Sequence, residues 1–198
     1  MVQTQTQEEL SIQLKNYALK IYKIVYEDTL YKEYKELDKE CQLQTYNVGL
    51  PRSLASACHA KDSLINNVVM NMLALRASLY RITYSIKDNE ELCPKYIDHI
   101  KRLIKDLMEQ TESLEKVQRL LREIYVTVNK VKKTKALKLK RCKEDEVSEM
   151  IKEDQNRGKE EFNWDEFYYG EEEYSKHLSE YIDECMGDGN LDFCNPEE

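Results

Sequence analysis

The sequence predicts an all-α protein: an elongated antiparallel three-helix bundle or coiled coil, with an overhanging third helix and an acidic, partly disordered C-terminal tail. Turn residues are scarce, because the 198 residues include only five Gly and three Pro. A β-rich or α/β domain of this size would use more of them. Apolar residues also recur at alternating steps of four and three over long stretches, the spacing by which a helix keeps one seam against a neighbour.

Charge divides the chain unevenly. Residues 1–143 carry 26 Lys and Arg against 18 Asp and Glu, whereas residues 144–198 carry 4 against 20. With the apolar pattern, this predicts three regions: an N-terminal helix and connector (1–52), a long helical hairpin with a basic extension at 130–143 (53–155), and an acidic aromatic tail (156–198). A mildly basic body with a strongly acidic tail indicates either a tail that binds partners or self-shielding of the body by the tail.

The first helix is expected to begin at Thr6, because Thr6 and Glu9 have the spacing of a capping box. Its apolar residues leave a face wide enough to pack against more than one helix. The segment Tyr46–Pro51 contains a Gly and a Pro and is expected to end the helical run.

The central helix is expected from about Ser53 to Lys87, and its apolar seam organises the rest of the chain. A second part of the seam lies in the later half of the third helix. We predict that these seams bind partner helices, and their residues are Leu54, Cys58, Ile65, Val68, Met72, Leu75, Leu79, Ile82, Ile86, Ile124, Val128 and Val131.

The third helix is expected to begin at Pro94, since a missing N–H costs nothing at the first helical position. No Gly or Pro occurs from Lys95 to Arg157, so helix could persist for about 60 residues, ending at the Gly158 turn. Two successive steps of three, Thr111 to Leu114 to Val117, predict a bend or a change of partner. In an antiparallel hairpin with the central helix, the third helix would extend past Val131 without a neighbour.

That extension is strongly basic, with eight Lys or Arg in fourteen residues. We consider three interpretations: a solvated helical extension, a nuclear-import or nucleic-acid-binding patch, and pairing with an acidic partner helix or with the chain's own tail. Its basic residues are Lys130, Lys132, Lys133, Lys135, Lys138, Lys140, Arg141 and Lys143.

The tail interleaves aromatic residues with acids, a pattern typical of a segment that folds against a partner. The alternative is a short helix, Tyr174 to Cys185, that docks back on the bundle. The triplet Asn163-Trp164-Asp165 is similar to the tryptophan-acidic motifs that dock on kinesin light chains. The predicted tail motif comprises Phe162, Trp164, Asp165, Phe167 and Tyr168.

Residues with catalytic chemistry do not form recognisable motifs. No Gly-rich phosphate loop is present, and the six Cys and three His have neither zinc-site nor disulfide-framework spacing. We therefore predict no enzymatic activity, no metal, no cofactor and no small-molecule substrate.

No apolar run approaches the roughly 18 residues of a membrane span, and no apolar leader is evident. These features predict an intracellular, reducing location, cytoplasmic or nuclear. The build resembles small subunits of kinetochore, microtubule-nucleation or vesicle-tethering complexes, which implies a cytoskeletal, cell-division or trafficking role. We predict a non-enzymatic scaffold or adaptor subunit that forms hetero-oligomers with helical proteins. The alternative is a nucleic-acid- or chromatin-associated nuclear factor that uses residues 130–143.

Overall fold

A computed structural model describes residues 7–27, 30–33, 36, 52–133, 137–160 and 162, with only the backbone described for 52–62 and 133. The helices are α1 (Gln7–Tyr26), α2 (Arg52–Lys87), α3 (Pro94–Gln110), α4 (Glu115–Lys133) and α5 (Glu144–Glu160), and the strands are β1 (Glu91–Leu92) and β2 (Lys138–Leu139). Because two-residue strands are the only ones in these ranges, the predicted all-α class is confirmed. The three-helix arrangement is not confirmed.

Helix α2 lies at the centre and packs against α1, α3 and α5. It runs antiparallel to α1, since Ile12 near the start of α1 lines a groove with Tyr84 near the end of α2. Farther along, the Arg76 guanidinium lies 5.2 Å from the centroid of the Tyr22 ring. The core between the helices is mainly aliphatic, with Leu75 fully buried, and Tyr96 is its largest fully buried side chain.

The prediction of one continuous third helix is wrong, although the chain does bend near Thr111, as expected. Helix α3 ends at Gln110, and the chain reverses through residues 111–114 into α4. The Gln118 side chain donates hydrogen bonds to the Met108 carbonyl and to Thr111 Oγ1, the latter at 3.2 Å. Side-chain bonds across the reversal thus replace the Gly or Pro that usually marks such a turn.

The α3–α4 hairpin also explains why the predicted extension of the third helix beyond Val131 is wrong. Because α4 runs back along α3, as the 2.7 Å ion pair between Lys132 and Asp98 shows, it returns the chain to the segment that precedes α3. There β2 pairs in parallel with β1, Leu139 lying opposite Leu92. The basic segment 130–143 is therefore not one helix, since helix ends at Lys133 and residues 137–143 are extended or irregular.

The last described helix continues past the Gly that was expected to end it. Helix α5 reaches Glu160, and Gly158 is buried against α2. A Cβ placed on Gly158 would lie 3.1 Å from the Leu73 carbonyl carbon and 3.2 Å from the Ala74 nitrogen. The Gly thus permits close helix packing rather than a turn.

Candidate functional site

The side chains predicted to bind partner helices lie mainly in the chain's own core. Those buried are Val68, Met72, Leu75, Leu79, Ile82, Ile86, Ile124, Val128 and Val131. Ile65 is half-buried, and the side chains of Leu54 and Cys58 lie outside the described residues. Partner binding by this seam stays a prediction. The chain's own helices cover most of the seam. A partner that binds the folded chain would therefore contact other residues.

Among the basic side chains of residues 130–143 that the structure describes, two lie beside acids. Those exposed are Lys130, Lys132, Lys138, Lys140, Arg141 and Lys143. Lys132 pairs with Asp98, and Lys140 Nζ lies 3.8 Å from a Glu146 carboxylate oxygen. The side chains of Lys133 and Lys135 are outside the described residues. Nucleic-acid binding by this segment stays a prediction.

Of the predicted tail motif, the structure describes only Phe162. This residue is buried, and its ring centroid lies 4.9 Å from that of Tyr26 in α1. It therefore packs on the helical body rather than facing a partner. Trp164, Asp165, Phe167 and Tyr168 lie outside the described residues.

A buried carboxylate, Asp154 of α5, joins three helices. Its side chain is 2% exposed and accepts hydrogen bonds from Ser78 Oγ at 2.8 Å and from Arg81 Nε at 2.9 Å, both in α2. It also accepts a short hydrogen bond from the Tyr96 hydroxyl in α3. Sequence reasoning missed this residue because it lies in a largely polar and charged stretch, residues 152–157, that shows no apolar seam. The spacing Val147, Asp154, Gly158 nevertheless marks one face of a helix.

Burial and neighbouring charges shift the pKa values of two members of the Asp154 cluster, Arg81 and Tyr96. Burial alone would lower the pKa of Arg81, but the hydrogen bond to Glu153 and the charge of Asp154 raise it above its ordinary value. Burial, followed by the charge of Asp154, raises the pKa of Tyr96 well above 10.0. Arg81 is thus a cation and Tyr96 a neutral donor. The Asp154 carboxylate is 2% exposed, so the cluster can fasten α5 to the bundle.

The raised pKa of Tyr96 predicts a loss of stability in alkali. Above pH 10.0, the unfolded chain releases the phenolic proton while the folded chain keeps it, so the free energy of unfolding falls as pH rises. We expect urea titrations between about pH 9 and 11 to show a steeper loss for the wild type than for Tyr96→Phe. Tyr84→Phe is the control, because Tyr84 is exposed and should retain the wild-type slope. Equal slopes for all three proteins would contradict the prediction.

An open groove of about 450 Å³ lies between the start of α1 and the end of α2. Its apolar side chains include Ile12 and Tyr84, each 53% exposed. The Tyr84 ring stacks on that of Tyr80, with centroids 6.3 Å apart. The groove is lined by Gln7, Glu8, Ser11, Ile12, Lys15, Tyr80, Thr83, Tyr84, Ile86 and Lys87. The sequence signal for it is the wide apolar face of α1, of which only one side packs on α2.

A disulfide joins Cys93, just before α3, to Cys142, just before α5, with the two Cα atoms 5.7 Å apart. The cysteine spacing did not indicate this bond, because its ends are 49 residues apart and meet only through the α3–α4 hairpin. A Glu146 carboxylate oxygen lies within 4.8 Å of both sulfurs. Cys93, Cys142 and Glu146 could hold a metal ion only after the disulfide is reduced, because disulfide sulfurs are not thiolate ligands.

No helix within the described ranges is both long and apolar enough to cross a membrane. Comparison of the chain with known proteins yields no matching family model, no matching curated protein and no matching solved structure.

Proposed function

We propose that the chain is a non-enzymatic helical adaptor that binds an amphipathic helix of another protein in the α1–α2 groove. The observation that carries this proposal is the exposure of Ile12 and Tyr84, each 53%, on the same groove. Single exposed apolar residues are common on protein surfaces, but apolar residues that line one cavity are typical of a binding site.

The shape of the groove favours a helix as the occupant. Two antiparallel helices leave a channel along their axes, and a third helix fills such a channel with side chains spaced three and four residues apart. A volume of about 450 Å³ accommodates a few side chains rather than a domain. Apolar anchors of the partner would pack between Ile12 and the stacked rings of Tyr80 and Tyr84.

Charges beside the groove favour acidic residues in the partner helix. Lys15 and Lys87 line it against a single acid, Glu8. Carboxylates flanking the partner's apolar anchors would pair with the two lysines. Such pairs set register and association rate more than affinity.

Within this proposal, the chain is one subunit of a hetero-oligomeric assembly of the cytoskeletal, cell-division or trafficking type, in the cytoplasm or nucleus. The acidic aromatic tail around Trp164 binds a further partner. Phe162 is not part of that second contact, because it is buried against Tyr26.

The first test is site-specific photo-crosslinking in cells. A photoreactive phenylalanine analogue replaces Tyr84 in one variant and Val126 in the control. Val126 is also 53% exposed but lies on α4. We expect a crosslinked protein from position 84 that is absent from position 126, with the crosslinked peptide in an amphipathic, acid-flanked helix. Crosslinks of equal yield from both positions, or to a non-helical segment, would refute the groove as the binding site.

The second test measures affinity for that peptide. The double substitution Ile12→Asp, Tyr84→Asp should weaken binding by about 30-fold or more, because it removes contacts worth about 2 kcal/mol. Val126→Asp should leave the Kd unchanged. Circular dichroism checks that both variants remain helical, as expected for substitutions at exposed sites. A double variant that binds as tightly as the wild type would contradict the proposal.

Salt distinguishes the adaptor from the nucleic-acid-binding alternative. Phosphate contacts weaken steeply between about 0.1 and 0.5 M salt, whereas apolar helix pairing changes little. If residues 130–143 bind nucleic acid instead, an RNA or DNA probe will bind, and Lys138→Gln with Arg141→Gln will flatten the salt dependence. We expect neither probe to bind even at about 0.1 M salt, where phosphate contacts are strongest within this range.

A further inference from the structure

We propose that the Cys93–Cys142 bond is a thiol–disulfide exchange site for small thiols such as glutathione. Its redox state would control how residues 137–143 are held to the bundle. This proposal does not depend on the α1–α2 groove.

The two sulfurs differ in access. Cys93 is 1% exposed, and its sulfur lies 3.9 Å from Met150 Sδ. Cys142 is partly exposed. An attacking thiolate must approach the sulfur that it will bond to, so it can reach only Cys142. The charges beside Cys142 balance, because the cations Lys140, Arg141 and Lys143 are followed by the acids Glu144, Asp145 and Glu146. Access to the sulfur, rather than charge, therefore selects the attacking thiol.

The buried sulfur is placed to act as the leaving group. Cys93 is the N-cap residue of α3, its side chain makes no capping hydrogen bond, and Pro94 follows at the start of the helix. The helix N-terminus favours a thiolate at this position, whereas burial of the sulfur opposes it. The difference in access between the two sulfurs is therefore what sets the direction. Attack at Cys142 with departure of Cys93 is therefore the direction that the fold favours.

The exchange balances in two steps. A glutathione thiolate attacks Cys142 Sγ, the protein S–S bond breaks, and its electron pair leaves on Cys93, which then takes a proton from water. A second glutathione thiolate attacks the glutathione sulfur of the mixed disulfide, releasing Cys142 as a thiol and glutathione disulfide. Two glutathione molecules are oxidised and one protein disulfide is reduced. The reverse reaction, with glutathione disulfide as oxidant, restores the bond.

Besides the disulfide, a short strand pairing and the buried side chain of Leu137, which is 5% exposed, hold residues 137–143 to the bundle. Strands β1 and β2 pair over only two residues each, and one more backbone hydrogen bond runs from the Lys140 N–H to the Leu92 carbonyl at 3.1 Å. Helix α5 has its own attachments, the Asp154 cluster and the close contact of Gly158. Reduction should therefore loosen residues 137–143 and leave α5 in place. A disulfide that opens and closes is also compatible with the predicted reducing location, where disulfides are usually transient.

The test uses the full chain with Cys41, Cys185 and Cys194 replaced by Ser and Cys58 by Ala. The protein is equilibrated in glutathione buffers of graded oxidation, quenched in acid, alkylated and mapped by mass spectrometry. We expect Cys93 and Cys142 to pass together from thiols to disulfide across these buffers. A bond that persists in millimolar reduced glutathione, or one that never forms, would overturn the proposal.

Two matched variants on that background test the assigned direction. With glutathione disulfide as the reagent, the Cys142 thiolate of Cys93→Ser should form the mixed disulfide, releasing glutathione thiolate, at least about tenfold faster than Cys93 does in Cys142→Ser. Equal or reversed rates would overturn the assignment. Hydrogen exchange supplies the third measurement: reduction should speed amide exchange at residues 137–143 but not across 144–160. Unchanged exchange at 137–143 would refute the proposed control of the segment.

Discussion

Replacing Asp154 with Ala is expected to lower the free energy of unfolding by about 3 kcal/mol, because it leaves a partly buried cation without its partner. The Arg81 side chain is 19% exposed and would lose its buried counter-charge. The hydroxyls of Ser78 and Tyr96 would lose the acceptor that they share. Urea unfolding followed by circular dichroism measures the change.

The neighbouring acid is a matched control, since Glu153 also contacts Arg81, at 2.8 Å, but is 62% exposed. Glu153→Ala should cost less than about 1 kcal/mol, because water solvates the separated charges. If the two substitutions had equal effects, burial of Asp154 would not determine its contribution, and the cluster would not be what fastens α5.

Replacing Gly158 with Leu is expected to cost about 2 kcal/mol, because a side chain there overpacks the contact between α5 and α2. The nearest atoms belong to the backbone and Cβ of Leu73 and to the backbone of Ala74, so they cannot rotate away as a side-chain tip would. Intrinsic helix propensity acts in the opposite direction, since Leu favours helix over Gly by somewhat under 1 kcal/mol. A net loss of stability in Gly158→Leu would therefore come from overpacking. Thermal or urea unfolding measures it.

Asn156→Leu is the control for that experiment, because Asn156 lies in the same helix but is exposed. It should be neutral or slightly stabilising, as Leu is the better helix former. If Gly158→Leu were equally harmless, α5 would not lie as close to Leu73 as the structure places it. The pair thus separates helix propensity from the close approach.

The sequence alone determined the local features of this fold. Scarce turn residues and three-and-four apolar spacing require helices. Helix α1 begins at Gln7, directly after the predicted capping residue Thr6, which itself lies outside the described residues. Pro94 occupies the start of α3, as its missing N–H allows. The irregular spacing at Thr111 marked the place where the third helix is interrupted. These signals depend on neighbours within a few residues, so the sequence displays them directly.

Only the tertiary structure decided which faces meet. The periodic pattern predicts that the α2 seam is buried, but either a partner protein or the chain's own helices could bury it. The partners of Asp154 are distant in sequence: Ser78 and Tyr96 lie 76 and 58 residues away. Their convergence requires the reversal at residues 111–114, which no Gly or Pro announces. The same reversal brings Cys93 to Cys142 and β1 to β2, because a hairpin that returns to its origin sets pairings that local spacing does not encode.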